Sequence, residues 1–146
     1  MVLNAFAQSV NAYADVNLSI HGGISLTKIR DLRMGAVVQG TTSVSINPLS
    51  SGSAAYFIVS ACPNSAETIT FSSTNLTSGS STIIFTGVLA GSDQPIQPHS
   101  ILIGSGDAIT TSSTGDFYLW AGGSATLASK QPTGDYVGSF TVSIIY

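Results

Sequence analysis

The residues of this chain that could carry chemistry are few and lie far apart in the sequence. Among its 146 residues are two histidines and one cysteine. His21 precedes two glycines and His99 follows a proline, so we predict that both lie in loops. Cys62 has no second cysteine with which to form a disulfide within the chain. We predict that it is a small, buried apolar residue near the end of a strand.

The spacing of these residues matches no common catalytic or metal-binding motif. The sequence contains no histidine pair at metal-ligand spacing, no cysteine cluster, no G-x-S-x-G turn and no P-loop. Its seven acidic residues are scattered and form no calcium-loop pattern. We therefore expect no catalytic residues, no metal site and no cofactor, and hence a protein that is not an enzyme.

The charge balance argues against nucleic acid as a partner. Four basic and seven acidic residues give a net charge of −3 at pH 7. Lys28, Arg30 and Arg33 form a cluster, but four cations are too few for a phosphate-binding stripe. We interpret the cluster as a solvated strand or as a guard on a sheet edge.

Aromatic residues offer one further chemical candidate. Phe117, Tyr118 and Trp120 lie in one short stretch and could form a stacking platform for a sugar. An alternating strand directs half of its side chains toward the core in any case, so core packing is the favoured interpretation.

Composition favours an extracellular β-protein or a self-assembling subunit whose surface is covered by copies of itself. Only 8% of residues are charged, and the mean hydropathy is +0.37. The longest apolar run, from Ala54 to Cys62, is nine residues including a serine. A membrane helix needs about 20, so we expect no membrane span. The N-terminus also lacks the basic and long apolar segments of an intact signal peptide.

Short strands separated by turn residues are predicted along the chain. The segment Ala54–Ala61 is almost continuously apolar, as in a central strand. Other alternating segments recur with Gly, Pro and Ser turns between them, and no convincing amphipathic helix is present. We predict a phase shift at Asp31–Gly35, a continuation of that strand through Ala36–Val38, and a break at Gly122-Gly123. The pattern and the length predict a single all-β sandwich.

The two ends of the chain have matching patterns. Every second residue between positions 10 and 20 is apolar, which is the period of a strand with one buried face. The final segment, Tyr136–Tyr146, alternates in the same way. No predicted strand covers the free edge of that last strand, which would otherwise promote aggregation. The apolar positions of the first strand are Val10, Ala12, Ala14, Val16, Leu18 and Ile20.

Two segments carry a resemblance to a known group of proteins. Lys28–Gly35 precedes the alternating segment Gly40–Ile46, and the chain closes on G-D-Y-V-G-S-F-T-V-S-I-I-Y, residues 134–146. The sequence resembles a bacterial pilin-like family of unknown-function domains, akin to spore coat U and archaic chaperone–usher pilins. The resemblance covers about residues 24–146. Cys62 departs from it, since spore-coat-like relatives often carry paired cysteines.

The resemblance implies an incomplete, immunoglobulin-like sandwich that is completed by a donor strand from the neighbouring subunit, a form of β-strand addition. It divides the chain into a donor-strand extension, residues 1–20, and a pilin-like domain, residues 21–146. The implied partners are identical subunits in a head-to-tail filament, with a periplasmic chaperone and an outer-membrane usher during assembly. The predicted acceptor groove is lined by Ile24, Leu26, Ile29, Phe140, Val142, Ile144 and Tyr146.

The leading hypothesis is a structural subunit of an extracellular, cell-surface fimbrial filament that serves adhesion or biofilm formation. Two alternatives stay open. In one, the first strand folds onto its own sheet, and the chain is a self-contained tip adhesin or carbohydrate-binding module that uses the Trp120 strand. In the other, the chain is a shell or surface-layer protein. The filament hypothesis requires residues 10–20 to pack on a neighbouring subunit, whereas the self-contained module requires them to pack on their own subunit.

Overall fold

The computed structural model describes residues 23–146, which form ten β-strands in two antiparallel sheets. The predicted donor strand lies outside the described residues. A short 3-10 helix, Gln97–His99, precedes β7. The strands are β1 (Ser25–Arg30), β2 (Ser43–Ile46), β3 (Ala55–Ser60), β4 (Ala66–Ser73), β5 (Leu76–Ser78), β6 (Ser81–Ser92), β7 (Ile101–Ile103), β8 (Ala108–Thr110), β9 (Asp116–Thr126) and β10 (Phe140–Ile145).

The two sheets face each other and confirm the predicted all-β sandwich. The larger sheet has seven strands in the main order β1-β3-β9-β6-β5, with β2 paired to β9 and β7 paired to β6. Strand β9 is its centre, because it pairs with β2, β3 and β6. The smaller sheet has the order β10-β4-β8. Within residues 23–146, no helix is long and apolar enough to cross a membrane.

The core lies between the sheets and is built from alternate residues of each strand. In β3, Ala55, Phe57 and Val59 are buried, whereas the residues between them are only half-buried. On the facing sheet, Ile69 of β4 is fully buried in the same cluster. Successive side chains of an extended strand point to opposite faces, so this period-two burial occurs even though the sequence of β3 is almost continuously apolar. The largest fully buried side chains are Ile69, Leu89, Leu119 and Val59.

The predicted break at Gly122-Gly123 is wrong, since β9 runs through both residues. A Cβ atom on Gly122 would collide with the backbone oxygen of Ile46 in β2. One on Gly123 would collide with the backbone oxygen of Thr86 in β6. The two glycines therefore allow β2 and β6 to approach β9 closely from either side, which explains their presence inside a strand.

The phase shift predicted at Asp31–Gly35 occurs earlier in the chain. The pairing of β1 with β3 shifts between Lys28 and Arg30, so that Ile29 is the extra residue of a bulge. No strand is assigned between residues 31 and 42, and the predicted continuation through Ala36–Val38 is therefore wrong. Gly35 and Gly40, both with positive φ, lie on either side of residues 36–39 and turn the backbone away from an extended path.

The aromatic stretch of β9 has one buried aromatic side chain on each face of the sheet. Phe117 belongs to the core between the sheets, as predicted. Trp120 is also buried, at 3% exposure, but it lies on the opposite face, where its ring stacks on Tyr56 at 5.2 Å. Cys62 is half-buried rather than fully buried.

Candidate functional site: a groove between the first and last strands

The candidate site lies at the boundary between β1 and β10, which we call the seam. Among the strands of residues 23–146, β1 pairs only with β3, and β10 pairs only with β4. The two strands belong to different sheets, and they are not paired with each other. Each therefore presents one edge whose backbone N–H and C=O groups face no described strand.

A groove of about 470 Å³ opens along this seam. One side is formed by Lys28 of β1 and by the segment 31–35, and the other side by the segment 136–140 that leads into β10. Phe57 and Phe85, each only 7% exposed, lie at its base. The groove therefore reaches the hydrophobic core directly. Its lining is Lys28, Asp31, Leu32, Met34, Gly35, Ala55, Phe57, Leu76, Phe85, Tyr136, Val137, Gly138, Ser139 and Phe140.

The inward-facing row of β10 is incompletely covered. Phe140, Val142 and Ile144 pack against the core cluster, yet all three remain half-exposed. They face the row of β4 that includes Phe71 and Ile69, and the rings of Phe140 and Phe71 stack at 5.6 Å. Apolar side chains on an inward face are normally buried. Their exposure follows from the absence of any described strand beyond β10 in the smaller sheet.

The inward-facing side chains of β1, on the other side of the seam, are also incompletely covered. Leu26 is opposite Val59, and Lys28 is opposite Phe57. Because both β3 partners are buried, Leu26 and Lys28 lie on the inward face of the sheet. All six residues of β1 are nevertheless exposed. Ile24, just before the strand, is half-buried against the core cluster.

The seven residues predicted to line an acceptor groove do not all lie in one place. Ile24, Phe140, Val142 and Ile144 pack on one cluster, and Phe140 also lines the groove. Leu26 faces inward, at 36% exposure. Ile29, in the bulge, is 54% exposed, and Tyr146 is 75% exposed. The remaining six predicted residues are not part of the groove lining.

Leu32 and Met34, which form much of one side of the groove, are not among the residues predicted from the sequence. Both are half-buried and pack against the core cluster around Phe85. Their spacing of two residues is the available signal, but in the sequence it coincides with the predicted phase shift of a strand. The segment is not a strand, and its two apolar side chains instead cover the inner face of the larger sheet.

The opposite side of the groove is fixed by hydrogen bonds. Val137 and Thr77 exchange two backbone hydrogen bonds, of 2.9 and 3.0 Å. The Tyr136 hydroxyl donates to the backbone oxygen of Pro132 at 2.7 Å and accepts from Gln131 Nε2 at 3.1 Å. The predicted last strand, residues 136–146, is a regular strand only from Phe140. The residues before it, 136 and 137, are held in place by these hydrogen bonds. A second cavity of about 370 Å³ adjoins the groove at Tyr136.

The groove has one basic side chain in its lining, that of Lys28. Its Nζ lies 2.7 Å from a carboxylate oxygen of Asp31, and both side chains are largely exposed. The hydrogen bond and the positive charge of Lys28 hold the pKa of Asp31 below its usual value, with a smaller contribution from Arg33.

Arg30 is close in sequence to Lys28, but its side chain lies on the other face of the sheet. Its Nε donates to the backbone oxygen of Ala54 at 2.9 Å, and its guanidinium carbon lies 5.9 Å from the centre of the Tyr56 ring. Burial raises the pKa of Tyr56, and the neighbouring Tyr118 adds to the rise, while Arg30 opposes it. Among residues 23–146, no three His, Cys, Asp or Glu side chains are grouped to hold a metal.

Comparison with known proteins gives the chain a family. It belongs to the family described as "Domain of unknown function (DUF4402)", which matches residues 24–146. The match begins immediately before β1 and includes the whole sandwich. No curated protein matches the sequence. The family description names no activity or partner.

Proposed function

We propose that this DUF4402 domain is the structural subunit of an extracellular fimbrial filament, polymerised by donor-strand complementation and serving surface adhesion or biofilm formation. The observation that carries the proposal is the seam, where the edges of β1 and β10 that face no strand of residues 23–146 flank a groove that reaches the core. A strand inserted there gives the exposed backbone groups partners and covers the half-exposed row of β10. Export through the periplasm, with a chaperone and an outer-membrane usher, is part of the proposal.

The inserted strand is residues 10–20 of a second copy. This segment lies outside the part of the chain that matches the family. Its eleven residues alternate between apolar and mostly polar types. Extended at about 3.3 Å per residue, they span about 36 Å, which exceeds the length of the six-residue β10. One face of the strand would cover the core, and the other would face solvent.

The joint has enough apolar surface to be long-lived. Burying Val10, Val16, Leu18 and Ile20 contributes about 1.5–3 kcal/mol for each side chain. The sum is of order 10 kcal/mol before the cost of ordering the strand, and it is an upper estimate. The donor segment and the groove are different parts of the chain, so the joint between two copies is head-to-tail. A head-to-tail joint that does not close into a ring produces an open filament.

Deletion of residues 1–20 tests the proposal. We expect the truncated chain to form no filaments in negative-stain micrographs, and to aggregate or to unfold at a lower temperature than the full chain. Adding a synthetic peptide of residues 10–20 should restore a stable complex, detected by size-exclusion chromatography. Normal filaments from the truncated chain would refute the mechanism.

A matched pair of substitutions tests whether filaments require the apolar face of residues 10–20 and not only the presence of the segment. Val16→Asp places a carboxylate on the inward face, where burial without a partner costs several kcal/mol. Asn17→Asp introduces the same charge one position later, on the outward face. We expect Val16→Asp to abolish filaments and Asn17→Asp to leave them. Equal effects of the two substitutions would show that the segment does not insert as a one-sided strand.

A carbohydrate-binding role is the second candidate, and one observation favours it. The half-exposed rings of Tyr56 and Tyr118 lie nearly parallel on the outer face of the larger sheet, 6.5 Å apart with a 9° interplanar angle. Sugar rings stack on such faces. Arg30 and Trp120 already contact Tyr56, however, so less aromatic surface is open to a ligand. A glycan-array screen that compares the chain with its Tyr118→Ala variant tests this role.

A further inference from the structure

We infer that the second cavity is a continuation of the groove, and that it receives the part of the donor strand that extends beyond β10. The inference rests on the proposed function, because the occupant is the strand that the groove receives from a second copy. It extends the binding site past the seam to the segments 36–41 and 131–135.

The groove and the second cavity are continuous. The wall that residues 31–35 form in the groove continues as residues 36–41 in the cavity. The opposite wall, residues 136–140, continues backwards along the chain as residues 131–135. A strand that follows the groove past Phe140 therefore enters the second cavity. Four residues line both spaces: Met34, Gly35, Leu76 and Tyr136.

The donor segment is longer than the edge that β10 offers. At about 3.3 Å per residue, residues 10–20 span about 36 Å, whereas the six residues of β10 span about 20 Å. About 16 Å of strand, roughly five residues, then lies beyond β10. Residues 137–139 prolong the edge of β10 toward the cavity, because Val137 pairs with Thr77 of β5. The excess length of the donor can therefore be accommodated there.

The floor of the second cavity is apolar and suits the buried face of a strand. Ile83 and Ala125 are 5% and 3% exposed, and the half-buried Leu127 packs against them. Of the described residues that line the cavity, only Asp135 is charged, and its side chain is exposed. A strand with an apolar inward row can therefore continue into the cavity without placing that row against a buried charge.

The two walls of the cavity are already linked within the subunit. Gln39 Nε2 donates to the backbone oxygen of Gln131 at 3.0 Å, and Gln131 Nε2 donates to the backbone oxygen of Thr82 at 3.3 Å. Because the walls are in place before a strand arrives, less ordering has to accompany its binding. Val37 and Val38, which also line the cavity, are 46% and 77% exposed, so an inserted strand has further apolar surface to cover.

Hydrogen exchange in the full-length chain tests the inference. Filaments of the wild type are compared with the Val16→Asp variant, which is expected to stay unassembled. We expect the amides of residues 36–41 and 131–135 to exchange at least about ten-fold more slowly in the filament, because the inserted strand covers them. Protection confined to β1 and to residues 136–145, with the cavity amides unchanged, would overturn the inference and leave the proposed function intact.

Two neighbouring lysine substitutions distinguish an inserted strand from a lateral neighbour that merely covers the cavity. Leu127→Lys places an ammonium group in the cavity lining, where burial without a partner is costly. Thr126→Lys places the same group one position earlier, on the exposed outer face of β9. We expect Leu127→Lys to lower filament yield at least about ten-fold and Thr126→Lys to leave it near the wild-type value. Equal yields from the two variants would overturn the inference.

Thermal unfolding of both variants shows whether Leu127→Lys still folds. If it does not, the exchange comparison decides the question, because it requires no substitution in the cavity. Absence of filaments from the wild-type chain, or normal filaments from the chain lacking residues 1–20, would contradict the proposed function itself. Failure of the second cavity is therefore distinguishable from failure of donor-strand assembly.

Discussion

Gly87 on the inner face of β6 is the residue whose substitution tests the groove most directly. A Cβ atom at this position would lie 2.8 Å from Cδ2 of Phe140 and 3.1 Å from Cβ of Ser73. Its φ is not in the left-handed region, so alanine is conformationally allowed and the conflict is purely one of space. Phe140 is half-exposed and borders the groove, so the ring can escape only by moving into the opening.

Gly87→Ala should therefore lower either the stability of the isolated subunit or its affinity for the donor strand, and each effect has its own measurement. Overpacking a core costs about 1–3 kcal/mol. If the ring stays in place, the isolated subunit bears that cost, and its melting temperature falls by about 3–12 °C. If the ring moves into the groove, the subunit is nearly as stable as before. The donor strand must then displace the ring, and its affinity falls about 5- to 150-fold.

Thermal unfolding followed by circular dichroism measures the first effect, and peptide binding to the chain lacking residues 1–20 measures the second. Gly52→Ala is the control, because no atom lies within 4 Å of a Cβ there. Replacing Phe140 with alanine in the Gly87→Ala background should relieve the conflict. Wild-type values for Gly87→Ala in both measurements would refute the placement of Phe140 over Gly87 and the role of the groove derived from it.

Three further predictions follow from individual contacts. Gly122→Ala should unfold the sandwich or destabilise it by more than about 3 kcal/mol in chemical denaturation, because the new Cβ meets backbone of Ile46 that cannot move aside; a variant with wild-type stability would contradict the strand pairing. The Asp31 carboxyl should titrate below 3.8 in NMR experiments and return toward that value in Lys28→Gln. Since its folded-state pKa is lowered, its small stabilising contribution is present above pH 3.8 and is lost as the pH falls through the folded value; an unchanged Lys28→Gln titration would exclude the ion pair. Ultraviolet titration should find a phenol that ionises above pH 10.0 and disappears in Tyr56→Phe. Because this pKa is raised, the corresponding stability is present below pH 10.0 and is lost as the pH rises through the folded value; loss of the same signal in Tyr136→Phe instead would assign it elsewhere.

The sequence alone was sufficient to predict the all-β class and the buried face of the last strand, but not every strand boundary. In β10 the alternation of apolar and polar residues became alternate burial, and Phe140, Val142 and Ile144 pack against the core. Both outcomes depend on a local property, since successive side chains of an extended chain point to opposite faces. The donor role of residues 10–20 stays a prediction, because that segment lies outside the described residues.

Only the tertiary structure determined where the sandwich is open. The neighbours of β1 and β10, the burial of Trp120 on the outer face and the place of Leu32 and Met34 beside the groove follow from pairings between distant parts of the chain. The same is true of Gly122-Gly123, where two strands press on β9. Alternation specifies the face on which a side chain lies, but it contains no information about which strand lies alongside. An open edge is a property of that neighbourhood, and backbone hydrogen bonds across the sheet, rather than side-chain types along it, determine it.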